Sequence, residues 1–410
     1  MNRFRFVTVV WGTDFTDAFL QVCLPSQLFP GNLLYFVKHT ECIYRIYTTA
    51  KDAEVICKSD VFKKLSNIIR VELALITGMS YVGKYKPQTQ CHAHLIQSAS
   101  DDCAFVVLIP DAVWADGAFA RLLEISESGK RIIAISTPRL AKETFIPAFL
   151  ERYGNKDGTI QPVTPPQLVK MAMDHLHPDT LLQFWNPKKN SGIIPGIFYW
   201  PVNQEGLLVK QFHLFPLMVR PVDRDAVPDV TIDADYTLKA CPDFADVYIV
   251  QDSDDICAFD FTSISQAQTP IMLGGQSVEK VADWAKVCTH SLHREFVKHG
   301  IRFHWNACSA KWRDVEQQSD AVVENILSLI EDNGNANVPA QLSRLRYFSP
   351  RFLAGKVRQK GALGFLKQVF STVVHPVMRG IYGPSIKIRM VTNAQYDSPN
   401  QDKPELNKGT

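Results

Sequence analysis

The stretch Ala104–Gly117, AFVVLIPDAVWADG, decides the fold prediction, because an apolar run leads directly into two aspartates, Asp111 and Asp116. A continuous apolar run of this length is typical of a strand that is buried on both faces, as in parallel sheets. In open α/β sheets, ligands bind at the carboxyl ends of such strands. Because an unpaired buried carboxylate is costly, we expect a cation or a polar ligand beside these aspartates. For Asp116 the alternative is a cap on a helix that starts at Gly117.

Strand-like and helix-like segments alternate on either side of this stretch. Apolar, β-branched and aromatic runs predict strands at Phe4–Val10, Cys42–Tyr47, Ile68–Leu75, Ala104–Ile109 and Lys130–Ser136. Amphipathic segments between them predict helices at Asp14–Cys23, Lys51–Ser66, Lys84–Ala99 and Gly117–Ser128. This order predicts an α/β fold with a mostly parallel sheet flanked by helices. Right-handed crossovers then place the loops after Val10, Tyr47 and Ile109 along one edge of the sheet.

Hydroxyl and carboxylate side chains occupy these three loops. Thr13 and Asp14 follow the first strand, Thr48 and Thr49 follow the second, and Asp111 follows the later one. The first two loops offer groups for a ribose and a base, and a carboxylate after the later strand can hold a divalent metal that bridges a diphosphate. The alternative for each loop is an ordinary helix cap or turn. The chain lacks both GxGxxG after the first strand and the P-loop motif, which disfavours dinucleotide and P-loop sites.

Size and composition are those of a globular protein in a reducing compartment. The 410 residues, 46% hydrophobic and 21% charged, suffice for two or three cores. Nine cysteines without a CxxC pair indicate reduced thiols. The first residues read as a strand and not as a secretion signal, and the longest uncharged stretch, 18–37, contains two prolines and several amides. We therefore predict a cytoplasmic protein without a transmembrane segment.

The pattern of residue types changes in the middle of the chain. Between Pro187 and Val250, short aromatic and β-branched runs separated by Gly, Pro and Asp predict an extension of the sheet or a small β-rich subdomain. In VTIDADY, Asp233 and Asp235 alternate as on one face of a strand, and His213 precedes them on a strand-like run. We predict that His213 with Asp233 or Asp235 binds hydroxyl groups or acts as general base. A polar turn is the alternative, and a further acidic group follows at 252, 254 and 255.

Residues 333–396 contain ten Lys or Arg and no Asp or Glu, while the rest of the chain contains 34 basic and 42 acidic residues. Aromatic and aliphatic residues are interleaved with these cations, and residues 364–382 read as an amphipathic helix broken at Pro376. Since each cation near an anionic leaflet contributes about 1 kcal/mol, the segment predicts reversible attachment to an anionic membrane surface. The alternatives are a basic surface packed on the acidic body and, less favoured because no recognised motif is present, nucleic-acid binding.

Through residues 4–136 the chain resembles the GT-A class of glycosyltransferases. The resemblance lies in the first strand FRFVTVVWG, the second strand YRIYTTA, and VVLIPDAVWADG where that class keeps an acidic metal motif. That motif is usually Asp-any-Asp, whereas Asp111 and Asp116 are five residues apart. The resemblance implies a Rossmann-like sheet, a nucleotide-sugar donor, and Mn²⁺ or Mg²⁺ held by Asp111 and Asp116. It also implies phosphate contacts from Lys84 and Lys86.

The chain is thus expected to contain four units. They are a nucleotide-binding α/β half (1–138), an acceptor-side subdomain that completes the cleft (139–332), a basic helical appendage (333–396) and a disordered tail (397–410). The expected function is transfer of a sugar from a nucleotide-sugar to a surface-polysaccharide or glycolipid acceptor, on the inner face of the membrane and without nucleic acid. The alternative is a non-catalytic α/β binding protein that docks on nucleic acid or an acidic partner through its basic segment.

Overall fold

A large mixed sheet forms the centre of the molecule. The computed structural model describes residues 3–78, 85–99, 102–187, 194–267, 275–331 and 386–391. Eight strands make up this central sheet: β1 (Arg3–Val9), β2 (Glu41–Thr48), β3 (Arg70–Thr77), β4 (Cys103–Leu108), β6 (Ile132–Ile135), β10 (Phe215–Val219), β11 (Val247–Ile249) and β14 (Lys387–Val391). Their order is β11-β6-β10-β4-β1-β2-β3-β14. The α/β prediction with a mostly parallel sheet flanked by helices is confirmed.

The direction of the strands creates a crevice beside β1. Strands β4, β1, β2 and β3 are parallel, and β11 is parallel to β6. The chain proceeds from β1 to β2 and β3 on one side, then returns to place β4 on the other side of β1. Such a reversal of strand order opens a crevice at the carboxyl ends of the two central strands. The ends of β1 and β4 are therefore where a ligand is expected.

Fourteen α-helices are found among the described residues. They are α1 (Thr13–Ala18), α2 (Leu24–Gln27), α3 (Leu33–His39), α4 (Ala50–Lys58), α5 (Asp60–Ile68), α6 (Lys86–Gln97), α7 (Ala118–Glu127), α8 (Lys142–Tyr153), α9 (Pro165–Met173), α10 (Pro178–Leu182), α11 (Thr237–Ala240), α12 (Val278–Cys288), α13 (Ser291–Phe296) and α14 (Ala310–Glu331). Local capping chemistry marks the start of some of them: Thr49 caps α4, and Thr164 with Gln167 forms a capping box on α9. No helix among these is both long and apolar enough to cross a membrane.

Two small sheets complete the described fold. One consists of β5 (Ala112–Trp114), β12 (Ala258–Thr262) and β7 (Arg139–Ala141), with β12 in the middle. The other consists of β8 (Ile197–Val202), β9 (Gly206–Gln211) and β13 (Ile301–His304), with β9 in the middle. The second sheet packs against α12 and α14 through its own apolar cluster, which includes Phe198, Trp200 and Trp312. The β-rich middle thus both extends the central sheet, through β10 and β11, and builds a separate small sheet.

The central sheet draws strands from three of the four expected units. Strands β10 and β11 come from residues 139–332, and β14 comes from the basic segment 333–396. Strand β14 pairs antiparallel with β3 and forms an edge of the sheet. The predicted helix at 364–382 and the predicted disordered tail at 397–410 lie outside the described residues.

Candidate functional site

A cleft of about 790 Å³ opens at the carboxyl ends of β1 and β4. Trp11, following β1, and Asp111, following β4, line it. The opposite walls come from the start of α6, from α10, β8 and β12, and from the chain near residues 213 and 231–233. The segments that follow β1 and β4 therefore meet at one cavity. It lies where the reversal of strand order predicts a ligand site.

Asp52 fixes the loop that presents Trp11. Its buried carboxylate accepts hydrogen bonds from the Gly12 amide (3.0 Å) and from the hydroxyls of Thr16 (3.2 Å) and Thr49 (2.6 Å). Gly12 has a φ of 85°, a backbone conformation that residues other than glycine rarely adopt. One carboxylate on α4 thus joins the β1–α1 and β2–α4 loops.

The residues predicted to meet a ribose and a base lie outside the lining of the cleft. Thr13 and Asp14 begin α1, Thr49 caps α4, and Thr48 is fully buried at the end of β2. None of the four lines the cleft, although Asp14 borders a smaller neighbouring cavity together with Asp111. The helix-cap alternative therefore describes Thr49 correctly.

Asp111 is the predicted residue that the structure places most favourably. It lies behind Pro110 in the wall of the cleft, and its backbone oxygen accepts a hydrogen bond from the Phe261 amide (2.8 Å). Burial, followed by the like charge of Asp260, raises the pKa of Asp111 to about 7. A carboxyl group with such a pKa exchanges a proton near neutral pH, and it attracts a cation when it is ionised.

Arg139 and Asp260, which the sequence did not predict as site residues, complete the charged wall. The guanidinium Nε and Nη2 each lie 3.2 Å from Asp260 Oδ2, and Nη1 lies 3.9 Å from Asp179 Oδ2. Burial raises the pKa of Asp260, although Arg139 acts in the opposite direction. The other oxygen, Asp260 Oδ1, is buried and has no hydrogen-bond partner among the described residues. The wall thus holds two carboxyl groups whose pKa values are raised by burial, and one of them keeps a buried oxygen that no described group contacts by a hydrogen bond.

Asp116 lies outside the cleft lining. Its Oδ1 accepts a hydrogen bond from the Gly31 amide (2.7 Å), and its own amide donates to Val163 O (2.8 Å). Although Gly117 precedes α7, no side chain caps that helix. Asp116 therefore joins the segment before α3 to the start of α7, and it is not brought to the cleft with Asp111 as the metal prediction expected.

Lys84 and Lys86 were predicted to contact phosphate. Lys84 lies outside the described residues. Lys86 is the first residue of α6, but it does not line the cleft, whereas its neighbours Tyr85 and Pro87 do.

His213 and Asp233 line the cleft, but Asp235 does not. The strand expected for VTIDADY is wrong: Ile232–Tyr236 is a π-helical turn. Because residues two apart on a helical turn point in different directions, Asp233 and Asp235 do not share a face. Asp235 instead pairs with Lys239 on α11 at 2.6 Å.

A possible metal-ligand cluster lies away from the cleft. Asp252, Asp254 and His304 offer three ligand atoms within 4.8 Å of one another and can hold a metal ion. His304 Nε2 lies 2.9 Å from Asp252 Oδ1, while Asp255 pairs with Arg121 at 2.9 Å. None of these residues lines the cleft.

The remaining lining of the cleft suits a hydroxyl-rich ligand. Amide and hydroxyl side chains that donate and accept hydrogen bonds face it, as do aromatic rings on which a sugar or a base can stack. They are Gln88, Gln183, Gln211, Gln266, Thr89, Thr137, Thr231, Thr262, Trp11, Phe15, Tyr85 and Phe215. The combination of a few charged groups with aromatic and neutral polar side chains is typical of ligand pockets.

Comparisons with known proteins give one low-scoring structural likeness to report. No family model matches the chain, and no curated protein matches it. The crystal structure of S. aureus TarS aligns with 11% identity and a TM-score of 0.29, over 92% of this chain. The present chain spans about half, 55%, of that protein's chain.

Proposed function

We propose that the protein is a glycosyltransferase that moves a sugar from a nucleotide-sugar donor to a glycan or lipid-linked acceptor of a surface polysaccharide or glycolipid. The observation that carries the proposal is the cleft at the carboxyl ends of β1 and β4, with Asp111 in its wall. A reversal of strand order is where α/β sheets bind nucleotides. The polar and aromatic lining provides partners for sugar hydroxyls.

A divalent cation fits the carboxylates of the cleft. Asp111 and Asp260 supply oxygen ligands, and Asp260 Oδ1 is a buried acceptor without a partner among the described residues. Mg²⁺ and Mn²⁺ prefer such ligands, and we propose that these two aspartates would hold one. When bound, the ion would neutralise the charge that develops on the leaving diphosphate. Arg139, held by Asp260 and Asp179, adds a fixed positive charge beside it.

The acceptor side of the cleft is proposed to be the wall with His213 and Asp233. Both side chains line the cavity, where they can hold an acceptor hydroxyl or take its proton. Asp235 is not part of this proposal, since Lys239 already pairs with it. We further propose attachment to the inner face of the membrane through residues 333–396, on the basis of their charge.

A thermal-shift experiment tests the donor site. Wild-type protein should melt at higher temperature with UDP or GDP plus Mn²⁺, and the shift should grow with ligand concentration, since saturation at 100 times Kd adds about 2.7 kcal/mol. Asp111→Asn should lose most of this shift. Asp116→Asn is the matched control and should keep it, because Asp116 does not line the cleft. No shift for any common nucleoside diphosphate would count against the proposal and favour a non-catalytic binding protein.

A further inference from the structure

Three histidines form a column that runs inward from the acceptor-side wall of the cleft, in which the rings of His293 and His290 are stacked and the ring of His213 is tilted by 49° against His293. The ring centroids of His213 and His293 are 4.0 Å apart, and those of His293 and His290 are 3.6 Å apart. His213 lines the cleft, whereas His293, with 1% of its surface exposed, is buried behind it. His290 precedes α13 and His293 lies within it, so that one short helix supplies two of the three rings.

The hydrogen bonds of the column define where the protons lie. Each Nε2 faces a backbone carbonyl oxygen: Cys288 for His213 (3.2 Å), Asp233 for His293 (3.2 Å) and Ala234 for His290 (3.0 Å). Since a carbonyl only accepts, each Nε2 carries the hydrogen and donates it. The Nδ1 atoms of His290 and His293 are buried and have no hydrogen-bond partner among the described residues. These two rings are therefore held neutral in the folded protein.

The carbonyls that the column holds belong to the wall of the cleft. Thr231, Ile232 and Asp233 line the cavity, and the oxygens of Asp233 and Ala234 receive the hydrogen bonds of His293 and His290. From the other side, the Thr89 hydroxyl donates to the Val230 oxygen. The segment from 230 to 234 is thus held by side chains of α6 and α13.

We infer that His290 and His293 are positioning residues that hold this wall only while both rings are neutral, so that acid releases the wall and the cleft loses its shape. Protonation would place a second N–H on a buried Nδ1 that has no acceptor, next to another imidazole. The inference rests on the cleft as a binding site and not on the reaction proposed for it.

The surrounding charges do not offset this penalty. Asp235 is the acidic group that favours protonation of His290, but it is paired with Lys239, and Arg294 opposes protonation of both rings. Positive charge on His213 or on His290 further opposes protonation of His293. The backbone oxygen of Asp233, which accepts a hydrogen bond from His293, favours it. Burial is the largest cause: it lowers the pKa of His290, and it lowers that of His293 to about 2.

The expected pH dependence follows from proton linkage. In a released wall the two histidines would titrate near their ordinary value of about 6.5. Below that pH, each of them increases the population with a released wall by up to about tenfold per pH unit. Two histidines together give up to about a hundredfold per pH unit. The slope of the logarithm of this population against pH therefore reports whether one or both histidines take part.

Hydrogen exchange of the free protein, measured by mass spectrometry from pH 7.5 to pH 5 and corrected for intrinsic rates, tests the inference. In peptides covering residues 229–240, the logarithm of the opening constant should rise as pH falls below about 6.5, with a slope above one and at most two. Peptides of β1 and β4 should show no such slope at the same pH values. No slope in 229–240, or an equal slope in the central sheet, would overturn the inference.

Glutamine variants separate titration from hydrogen bonding. The amide nitrogen of Gln can donate to the same carbonyl as His Nε2 but does not titrate. His293→Gln should lower the slope by about one, and the double variant with His290→Gln should abolish it. His39→Gln, at an exposed histidine of α3, is the matched control and should leave the slope unchanged. Because no nucleotide is used, failure here leaves the glycosyltransferase proposal intact, and the thermal-shift experiment tests that separately.

Discussion

At the scale of single residues, Asp111 is a group that the fold makes harder to ionise. An aspartate in an unfolded chain titrates near about 3.9, whereas the pKa of Asp111 is raised to about 7, first by burial and then by Asp260. The folded state therefore binds the proton more tightly than the unfolded state does. Between pH 4 and pH 7, Asp111 consequently lowers the free energy of unfolding as pH rises.

Asp111→Asn should therefore stabilise the protein at alkaline pH. We expect the free energy of unfolding to rise by about 2–4 kcal/mol at pH 8, with the gain shrinking towards zero near pH 4. Urea unfolding at both pH values measures it. A variant that is equally or less stable at pH 8 would contradict the assignment. If Asp111→Asn both stabilises the protein and loses the melting shift with nucleoside diphosphate, then Asp111 is a residue kept for binding at a cost in stability.

Only part of the candidate site could be predicted at this scale. Asp111 was predictable because an apolar run that ends in a carboxylate is a local signal. Arg139 and Asp260 were not, because they are 121 residues apart and meet only where β7 pairs with β12. Asp235 was misplaced because its alternation with Asp233 imitates a strand, although the segment is a helical turn. Whether these residues act in transfer stays a prediction.

At the scale of elements, periodicity predicted the five strands β1, β2, β3, β4 and β6 and the longer helices between them, but it missed α3 and the short elements α2 and β5. Strand β10 shows the limit of that method: it inserts antiparallel between β4 and β6, which lie 80 or more residues earlier in the chain. An alternating pattern indicates a strand but does not name its neighbours. The same applies to β14, which lies near the end of the basic segment and pairs with β3.

The small sheet of β8, β9 and β13 depends on one glycine. Gly206 pairs with His304, and a Cβ there would collide with Phe303 O and lie 2.9 Å from His304 Cα. We expect Gly206→Ala to lower the free energy of unfolding by about 1–3 kcal/mol, because β13 must shift. At Gly196 a Cβ would meet Trp284 at an ordinary 3.5 Å, so Gly196→Ala is the control. Equal denaturant midpoints for the two variants would contradict this account.

At the scale of the whole molecule, charge is divided between the body and residues 333–396. The segment holds ten cations and no acid, against 34 basic and 42 acidic residues elsewhere. Two of the ten, Lys387 and Arg389, lie on β14, where the strand closes an edge of the central sheet. Removing 333–396 would therefore also remove part of the sheet. A test of membrane binding must replace 333–385 alone.

Replacement of residues 333–385 by a Gly/Ser linker of equal length should abolish membrane attachment while leaving β14 in the chain. The unaltered protein should float with vesicles that contain phosphatidylserine and not with phosphatidylcholine alone. Since the eight cations removed contribute about 1 kcal/mol each near an anionic surface, flotation should also fall as salt rises. An unchanged melting temperature would show that the linker variant is folded. Equal flotation of the two proteins, or equal flotation on neutral vesicles, would exclude charge in this segment as the means of attachment.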